Sequence, residues 1–432
     1  MKFTKKQLIQ ATDQKVQEIL STGIHSDADQ LFQSGLQTTL QENLFIQNNQ
    51  IFLQTGDIPA MWLRDSAFQA IPFVKFAQPN NIFEQFVREL IKSQLQYIRI
   101  DPYANAFNII ANNHHFARDE SNGGINPSVW ERKFELDSLC APLFLSQQLF
   151  EATGDIIQFD NSYWDTIRTI LTVLKTEQNH ENSDYYFRRL TESITDTLPN
   201  NGYGSSIAYT GMVWSGFRPS DDPCRYGYLV PANMFAVSVL DFLRSILFKG
   251  LGPTDLILPI NDLLRTIKAG IENFGQVRHE GALIYAYEVD GNGHTLCIDD
   301  ANLPNLLAAP LLGFKAPWPK VMYTTQKFIL SQNNPFYFNG KFFSGLGSSH
   351  TPVNFVWPIA LATEGLLASD RTTKHELLDK IIQITGKYHC HESINVNDLS
   401  AYTRNSFSWA DMMYCWLYLD ILEQEKGTEN NG

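Results

Sequence analysis

Cysteine is scarce in this sequence. The 432 residues contain five cysteines, widely separated and without a CxxC pair: Cys140, Cys224, Cys297, Cys390 and Cys415. An odd number of dispersed cysteines is not the pattern of a disulfide-stabilised domain. We therefore expect no disulfide framework.

Segments that would target or anchor the protein are also lacking. The N-terminus, MKFTKKQLIQATDQ, has no apolar core and no small-residue cleavage site, so no signal peptide is expected. No uncharged apolar run reaches the roughly 18 to 20 residues of a membrane span. The most apolar stretch, 228–248, carries Asn233, Asp241 and Arg244 and predicts a buried helix. These features predict no membrane partner and a cytoplasmic location, although a mature form without its targeting segment would look the same.

Positive charge is in short supply. The chain has 33 Lys and Arg against 46 Asp and Glu, a formal net charge of −13, and no basic run beyond Lys5-Lys6. Nucleic-acid partners need clustered cations to neutralise phosphates, so they are not expected. A Gly-rich phosphate loop, a GxGxxG fingerprint and a GxSxG nucleophile elbow are all absent, and no nucleotide cofactor is expected.

Apolar and aromatic residues are plentiful, at 44% and 12% of the chain. Their spacing has a helical period along most of the sequence. It predicts helices at about 4–20, 32–44, 67–78, 82–99, 135–153, 161–177, 232–249, 256–274, 302–312, 319–331, 353–369, 373–384 and 406–424. Strand patterns are few: 43–54 predicts a short hairpin with Asn48-Asn49 as its turn, and Ala282–Val289 predicts half of another.

Polar, aromatic-rich loops alternate with the predicted helices, and no linker divides the chain. A closed ring of six helical hairpins needs about twelve helices and would bring such loops together at one end. The sequence therefore predicts an all-α fold, an (α/α)6 barrel, in a single domain covering residues 1–432.

The loop WSGFRPSDDPCRYGY (214–228) places two adjacent carboxylates between two arginines. Asp221 and Asp222 lie within eight residues of Arg218 and Arg225. Neighbouring cations lower a carboxylate pKa, while burial and like charge raise it, as a general acid requires. The alternative is a surface loop in which Asp221 or Ser220 caps the next helix.

The loop YHCHESINVNDLSAYTR (388–404) contains Glu392 in a polar setting without helical periodicity. A solvated glutamate is one interpretation and a catalytic carboxylate is the other. The neighbouring His389-Cys390-His391 has no second ligand pair at metal-site spacing, so a zinc site is disfavoured. His350 stands alone and is expected to be a hydrogen-bonding residue.

Two further loops carry charges beside aromatic rings. In SVWERKFELDS (128–138), Glu131 and Glu135 would share a face of a helix, and the alternative is a solvated helix start. In EVDGNGHTLCIDDAN (288–302), the Asp299-Asp300 pair lacks the longer motif of a magnesium-diphosphate site. These two aspartates are expected to cap a helix at 302 or to accept sugar hydroxyls.

Carboxylates, amides and aromatic rings on converging loops suit a neutral polyol ligand, and six segments resemble glycoside hydrolase family 125, metal-independent α-mannosidases with an (α/α)6 barrel. The resembling segments are TGDIPAMWLRDS (55–66), DPYANAFN (101–108), VWERKFELDSLC (129–140), MVWSGFRPSDDPCRYGYLVPANMFA (212–236), YEVDGNGHTLCIDDANLPNLL (287–307) and HTPVNFVWPIAL (350–361). The segment FSWADMMYCWL (407–417) departs from the family's usual small-residue version.

The resemblance implies an inverting exo-α-1,6-mannosidase that acts on α-mannoside glycans without a metal or cofactor. Its general base would be Glu392, and its general acid one aspartate of RPSDD. Related glycosidases place the acid on the first aspartate, which favours Asp221. Asp222 would then pair with Arg225 or a sugar hydroxyl.

The resemblance also implies the substrate-binding residues and a monomer. Trp62, Arg64 and Asp65 would form the floor of the −1 subsite, the position of the terminal mannose. The other residues implied to bind substrate are Glu131, Arg132, Arg218, Asp300, Asn302 and His350. Two alternatives remain: a barrel glycosidase for a different sugar, and a glycan-binding barrel without catalysis.

Overall fold

A computed structural model describes residues 3–47, 49–190 and 196–429, the last four of these by their backbone alone. This part of the chain contains twelve α-helices, which agrees with the predicted helical fold. They are α1 (Lys5–Leu20), α2 (Ser26–Thr38), α3 (Leu63–Val74), α4 (Ile82–Ile100), α5 (Leu136–Thr153), α6 (Asn161–Glu177), α7 (Val230–Phe248), α8 (Ile257–Phe274), α9 (Pro319–Ile329), α10 (Pro358–Leu367), α11 (Arg371–Thr385) and α12 (Ser408–Glu429).

The strands within the described ranges are two to six residues long and form small antiparallel sheets. They are β1 (Leu44–Gln47), β2 (Gln50–Leu53), β3 (Met61–Trp62), β4 (Ala106–Phe107), β5 (Asp119–Ser121), β6 (Val129–Glu131), β7 (Phe187–Arg189), β8 (Tyr228–Leu229), β9 (Gln276–His279), β10 (Ala282–Tyr285), β11 (Glu288–Val289), β12 (Thr295–Leu296), β13 (Tyr337–Asn339), β14 (Ser344–Leu346), β15 (Phe355–Val356), β16 (Ser393–Asn395) and β17 (Asp398–Thr403).

Both hairpin predictions are confirmed at the strand level. β1 pairs with β2, although Asn48 of the predicted turn lies outside the described residues. β10 pairs with β9 rather than with the strand that follows the turn at 290–293. That turn instead joins β11 to β12.

Local sequence explains where several helices begin. The Thr4 side chain accepts a hydrogen bond from the Gln7 backbone amide, and the Gln7 side chain accepts one from the Thr4 backbone amide. The pair satisfies two donors at the start of α1. Asn81 and Asp160 cap α4 and α6 by accepting the third amide onward. Inside α4, one face of the helix is buried at Phe83, Phe86, Val87, Leu90 and Ile91.

The helix predicted at 302–312 is wrong, because the segment consists of buried turns. Pro304 and Pro310 lack the backbone donors that a helix needs. The Asp299 carboxylate accepts the amides of Leu306 and Leu307, both at 2.9 Å, in place of backbone carbonyls. Asp299 and Asp300 therefore stabilise a turn and cap no helix.

Five helices pack against one another in a connected series. α3 packs against α5 and α12, α5 against α7, and α10 against α12. At the centre, the rings of Phe68, Phe144, Phe235 and Trp409 lie in contact, with centroids 5.6–6.5 Å apart. We call these four residues the central aromatic cluster. It joins α3, α5, α7 and α12 below the loops that precede them.

α7 is the one helix of the described residues that is long and apolar enough to cross a membrane by length and composition. The sequence prediction of a buried helix holds, because most of it is enclosed by the protein. Its neighbours α5 and α8 cover its sides. Its apolar character is accounted for by core packing.

The small sheets lie where the chain enters the central helices. β3 precedes α3, β6 precedes α5, β8 precedes α7, β15 precedes α10 and β17 precedes α12. Pairing of β3 with β4 and β4 with β6 fixes the first two entries together, and pairing of β15, β16 and β17 fixes the last two. The polar loops named from the sequence therefore meet at the N-terminal ends of these helices.

Candidate active site

These loops line a pocket of about 430 Å³, part of which is open to solvent. It is lined by Thr55, Ile58, Trp62, Arg64, Asp65, Pro219, Ser220, Asp221, Asn302, His350, Trp357, Glu392, Arg404, Phe407 and Trp409. A larger surface groove beside Trp318 is lined by no Asp or Glu. The smaller pocket combines three carboxylates from separate parts of the chain, Asp65, Asp221 and Glu392, with aromatic walls and positively charged groups.

Asp221 occupies the tip of a tight loop. Phe217 and Pro223 form an antiparallel bridge, and the Arg218 amide donates to the Asp222 carbonyl at 2.8 Å. The Asp221 backbone is left-handed, with a φ of 67°, a conformation that Asp and Asn tolerate better than most residues. Its Oδ1 is buried without a hydrogen-bond partner. The loop thus presents a carboxylate whose oxygen is available to a ligand.

Opposing influences set the charge of Asp221. Burial raises its pKa, but the cations Lys133, His350 and Arg64 outweigh burial and hold the pKa below its usual range. Lys133 also fixes the loop, since its Nζ donates to the Asp221 carbonyl at 3.0 Å. In the empty pocket the carboxylate is therefore ionised at neutral pH.

Glu392 faces the same pocket from another loop. Its backbone amide donates to the Thr403 carbonyl at 3.2 Å, beside the pairing of β16 with β17. Arg404 Nε donates to Glu392 Oε1 at 3.1 Å, and no hydrogen bond reaches Oε2 from the described residues. Glu392 is buried apart from this edge, with 8% of the residue exposed.

A buried charge cluster lies below the pocket. Arg64 NH1 donates to Glu135 Oε2 at 2.6 Å and to Asp137 Oδ2 at 3.0 Å, and NH2 lies 3.3 Å from Asp65 Oδ2. Burial raises the pKa of Glu135 and of Asp137, and it raises that of Asp65 to about 6, although Arg64 opposes each rise. One cation among three carboxylates leaves excess negative charge, so the cluster holds protons that solvent-exposed acids would lose.

Asp222 serves a second network. The Ser349 hydroxyl donates to Asp222 Oδ2, and His350 Nδ1 lies 3.9 Å from Oδ1. Burial raises the pKa of Asp222, but His350, Ser349 and Arg218 outweigh it and lower the pKa overall. Burial lowers the pKa of His350, but Asp222 and Asp221 more than compensate and raise it to about 9. His350 therefore carries positive charge at neutral pH.

Asn302 reaches the pocket from the turn that replaces the predicted helix. Its Nδ2 donates to Asp300 Oδ1 at 2.8 Å, and Ser348 Oγ donates to Asp300 Oδ2 at 2.7 Å. The fully buried Asp300 thus holds the amide of Asn302 in one orientation. Asn302 is among the residues that line the pocket.

Aromatic rings form the remaining walls. Trp62 and Trp357 directly precede α3 and α10, and Trp409 lies in the first turn of α12. The Arg64 guanidinium lies 5.5 Å from the Trp409 ring centroid. Such rings can stack on the C–H face of a sugar, while the neighbouring charges bind its hydroxyls.

Comparison with known proteins identifies the family to which the chain belongs. The family described as metal-independent alpha-mannosidase (GH125) matches residues 25–419. This chain belongs to that family.

Two relatives cover nearly the whole of this GH125 chain. A Streptococcus pneumoniae metal-independent alpha-mannosidase, solved in a non-productive complex with alpha-1,6-mannobiose, is 41% identical, with a TM-score of 0.92 over 98% of this chain and all of that one. The meiotically up-regulated gene 157 protein of Schizosaccharomyces pombe is 34% identical over 96% of this chain and 86% of its own length. A glycosidase solved with glucose is 11% identical, with a TM-score of 0.57 over 92% of this chain and 99% of its own, and shows likeness of fold alone. The GH125 chain is a glycoside hydrolase and an alpha-mannosidase.

Most residues implied by sequence meet in the pocket of this GH125 enzyme. The lining includes Trp62, Arg64, Asp65, Asp221, Asn302, His350 and Glu392. Asp222 and Asp300 lie directly behind it, bound to groups that line or border it. Arg225 makes no ion pair with Asp222; its amide instead donates to Glu288 Oε2 at 2.8 Å.

Three residues named from the sequence lie outside the lining and are engaged by protein groups. Arg218 Nε donates to Glu288 Oε1 at 2.5 Å, and Arg132 Nε donates to Asp101 Oδ2 at 2.6 Å. Glu131 accepts from Arg189 at 2.6 Å. Of the three, Arg132 has the least direct role in the pocket. Its guanidinium lies over the rings of Tyr103 and Tyr185 and supports the pocket wall from behind.

The interpretation of 131–135 as one turn of helix is wrong. Glu131 ends β6, and α5 begins only at Leu136. The two glutamates still meet, since Asn105 Nδ2 donates to Glu131 Oε1 at 3.1 Å and to Glu135 Oε1 at 3.2 Å. Their proximity depends on β4, which no local pattern in 128–138 could indicate.

Sequence reasoning missed Arg404, Trp357, Phe407 and Trp409 in the lining, and Lys133, Glu135 and Asp137 behind it. A signal existed for some of them. Glu135 and Asp137 belong to the same segment as Glu131, and Trp357 belongs to HTPVNFVWPIAL. Arg404 ends the loop that contains Glu392, but no sequence pattern marks it. Its contact with Glu392 depends on the pairing of β16 with β17.

The His389-Cys390-His391 segment contributes to structure. His391 Nδ1 lies 3.1 Å from the Arg404 carbonyl, and its ring stacks on Tyr402 at 3.7 Å. The Cys390 amide donates to Asp411 Oδ1 at 2.5 Å. Within the described residues, no three His, Cys, Asp or Glu side chains are arranged to hold a metal ion.

Proposed function

We propose that this alpha-mannosidase is an inverting exo-α-1,6-mannosidase that releases terminal mannose from α-mannoside glycans. One observation carries the proposal: two carboxylates from distant loops, Asp221 and Glu392, line one small pocket. The linkage is supported by the complex of the 41% identical relative with alpha-1,6-mannobiose.

The proposed reaction uses the two carboxylates in opposite senses. Asp221 donates a proton to the glycosidic oxygen as its bond to C1 breaks. Glu392 removes a proton from water as the water oxygen bonds to C1 from the other face. This displacement inverts the anomeric centre and needs a carboxyl separation of roughly 6.5–9.5 Å. The first product is β-mannose.

Asp221 is assigned as the acid because its Oδ1 has no partner in the protein, whereas Asp222 binds Ser349 and lies beside His350. Substrate excludes water from the pocket, which strengthens the effect of burial and favours the protonated acid. Asp222 acts by holding His350. In this assignment the two adjacent aspartates have different tasks.

The terminal mannose is proposed to lie against Trp62, with Arg64 and Asp65 binding its hydroxyls. Asn302 and His350 supply further polar contacts. Asp300, Arg218, Glu131 and Arg132 act indirectly, by fixing the loops and side chains that touch the sugar. The aromatic rings of Trp357 and Trp409 complete the walls.

We further propose that residues 1–432 form one (α/α)6 barrel. α3, α5, α7, α10 and α12, with the turn segment at 302–312 between α7 and α10, would make the inner ring. α2, α4, α6, α8, α9 and α11 would make the outer ring. The contacts of α12 with α3 support closure of that ring.

The test is sugar release from α-1,6-mannobiose, with the anomer followed by NMR. Wild type is expected to release β-mannose. Glu392→Gln and Asp221→Asn are expected to lose activity by about 100-fold or more while remaining folded. Asparagine is chosen at 221 because it tolerates the left-handed backbone.

Other outcomes would change the assignment. Release of α-mannose would disprove inversion, and cleavage of α-1,2- or α-1,3-mannobiose in preference would disprove the linkage. Binding of mannobiose without release would indicate a glycan-binding barrel. A matched control is Asp255→Asn, which removes an exposed carboxylate paired with Arg168 far from the pocket.

A further inference from the structure

Arg404 bridges two walls of the pocket. Its Nε donates to Glu392 Oε1 at 3.1 Å, and its NH1 donates to Asp57 Oδ1 at 2.5 Å. Asp57 and Arg404 are 347 residues apart in sequence, and each belongs to a loop that enters a central helix, α3 or α12. We call the group Asp57–Arg404–Glu392 the base-side bridge.

The local fold determines the position of the Arg404 side chain. The hairpin of β16 and β17 brings Thr403 opposite Ser393, so Arg404 follows directly beside Glu392. The Arg404 backbone is left-handed, with a φ of 45°, which is costly for a residue with a long side chain. His391 Nδ1 contacts the carbonyls of Arg404 and Asn405 at 3.1 and 3.0 Å and holds this conformation.

The opposite wall is fixed as well. The Gly56 amide donates to Ser408 Oγ at 3.0 Å, and the Gln54 side chain donates to the Gly56 carbonyl at 2.9 Å. Asp57 therefore extends from an anchored loop. It supplies a fixed negative charge for the outer end of the guanidinium.

Exposure indicates that the bridge contributes little to global stability. The Asp57 and Arg404 side chains are 66% and 33% exposed, while that of Glu392 is 11% exposed. An ion pair as exposed as Asp57–Arg404 contributes little to the free energy of folding. A residue held in a strained conformation for so small a contribution to stability indicates a role in the pocket, where Arg404 contacts Glu392.

We propose that Arg404 is a positioning residue that orients the Glu392 carboxylate, and that Asp57 holds Arg404 in place. This inference rests on the proposed role of Glu392 as base. The Arg404 guanidinium binds Oε1 of Glu392 and prevents the carboxylate from rotating. Oε2 therefore stays directed at the water that Glu392 activates. The rigid planar fork of arginine suits this task, whereas a lysine ammonium offers a single mobile charge.

The alternative is that Arg404 binds the sugar directly, because it also lines the pocket. The two roles differ in kinetics. A positioning residue changes kcat and leaves substrate affinity nearly unaltered. A sugar-binding residue raises KM and keeps its effect when Glu392 is replaced.

The experiment measures kcat and KM for α-1,6-mannobiose in wild type, Arg404→Gln, Arg404→Lys and Asp57→Asn. Arg404→Gln is expected to lower kcat by about 100-fold, because a small displacement of a catalytic group has effects of that size, with KM changed by less than about threefold. Arg404→Lys recovers part of the loss. Asp57→Asn lowers kcat by no more than about fivefold, in keeping with an exposed ion pair.

A second measurement uses Glu392→Gln as background and the dissociation constant of mannobiose by calorimetry. Addition of Arg404→Gln to this variant is expected to leave the dissociation constant unchanged, since the base is already absent. A tenfold weaker complex would overturn the positioning role in favour of sugar binding. Arg278→Gln, an exposed arginine on β9, is the matched control.

The outcomes separate this inference from the function on which it rests. If wild type releases no mannose from any α-mannoside, the proposed function is wrong and the positioning role with it. If wild type is active and folded Arg404→Gln keeps its full kcat, only the positioning role is wrong. Thermal unfolding of each variant identifies any that fails to fold.

Discussion

At the scale of single residues, the charge of His350 controls the two aspartates beside it. Its pKa of about 9 keeps it cationic, and its field is among the causes that lower the pKa of Asp221. In the proposed mechanism Asp221 must be protonated to act as the general acid, so its lowered pKa moves the alkaline limb of kcat/KM toward low pH. His350 thus limits activity at alkaline pH. It also holds together the residues that form the substrate pocket.

His350→Asn is therefore expected to move the alkaline limb of kcat/KM to higher pH. Removal of the cation raises the pKa of Asp221 in the free enzyme, so the acid stays protonated over a wider range. The measurement is kcat/KM in both proteins over a pH range that begins below 4 and extends to 9. An unchanged alkaline limb, with lower activity at every pH, would show that His350 acts on the sugar alone; the exposed His294→Asn serves as control.

At the scale of elements, the N-terminal ends of α3 and α5 are joined through Arg64. The three acids around Arg64 come from the first turn of α3 and the start of α5. Helix N-termini favour negative charge, which offsets part of the cost of burying these carboxylates. One arginine thus determines how two central helices meet beneath the pocket.

Arg64→Met is expected to destabilise the protein by about 3–5 kcal/mol, because it leaves buried acids without their cation. Arg168→Met is the matched control, since Arg168 pairs with Asp255 on the surface and its loss should leave stability nearly unchanged. Urea unfolding measures both. Similar values for the two variants would contradict the assignment of Arg64 as the buried structural cation.

The same scale separates what sequence could predict from what it could not. Helical periods located nearly every helix, and the loops with Asp221, Glu392 and Trp62 were identified because their residue types suit a sugar site. The segment 302–312 kept an apolar period while Asp299 and two prolines determined a different backbone. Arg404 and Glu135 reach the site through strand pairing and helix contacts, which depend on residues far away in the chain.

At the scale of the whole molecule, the central aromatic cluster unites helices from both halves of the chain. Phe68→Ala is expected to cost about 3–5 kcal/mol and to weaken α3, α5, α7 and α12 together. Denaturation followed by tryptophan fluorescence and by activity should give a single coincident transition in wild type and variant. Two separate transitions would contradict one domain over residues 1–432.

The contact of α12 with α3 has a consequence for synthesis on the ribosome. Trp409, which lines the pocket, and Ser408, which anchors Gly56, are translated about 350 residues after Trp62. Contacts that distant form late, and a nascent chain cannot make them until α12 has left the exit tunnel. Catalysis is therefore withheld from chains that lack α12, and the appearance of activity reports the moment at which α12 docks against α3.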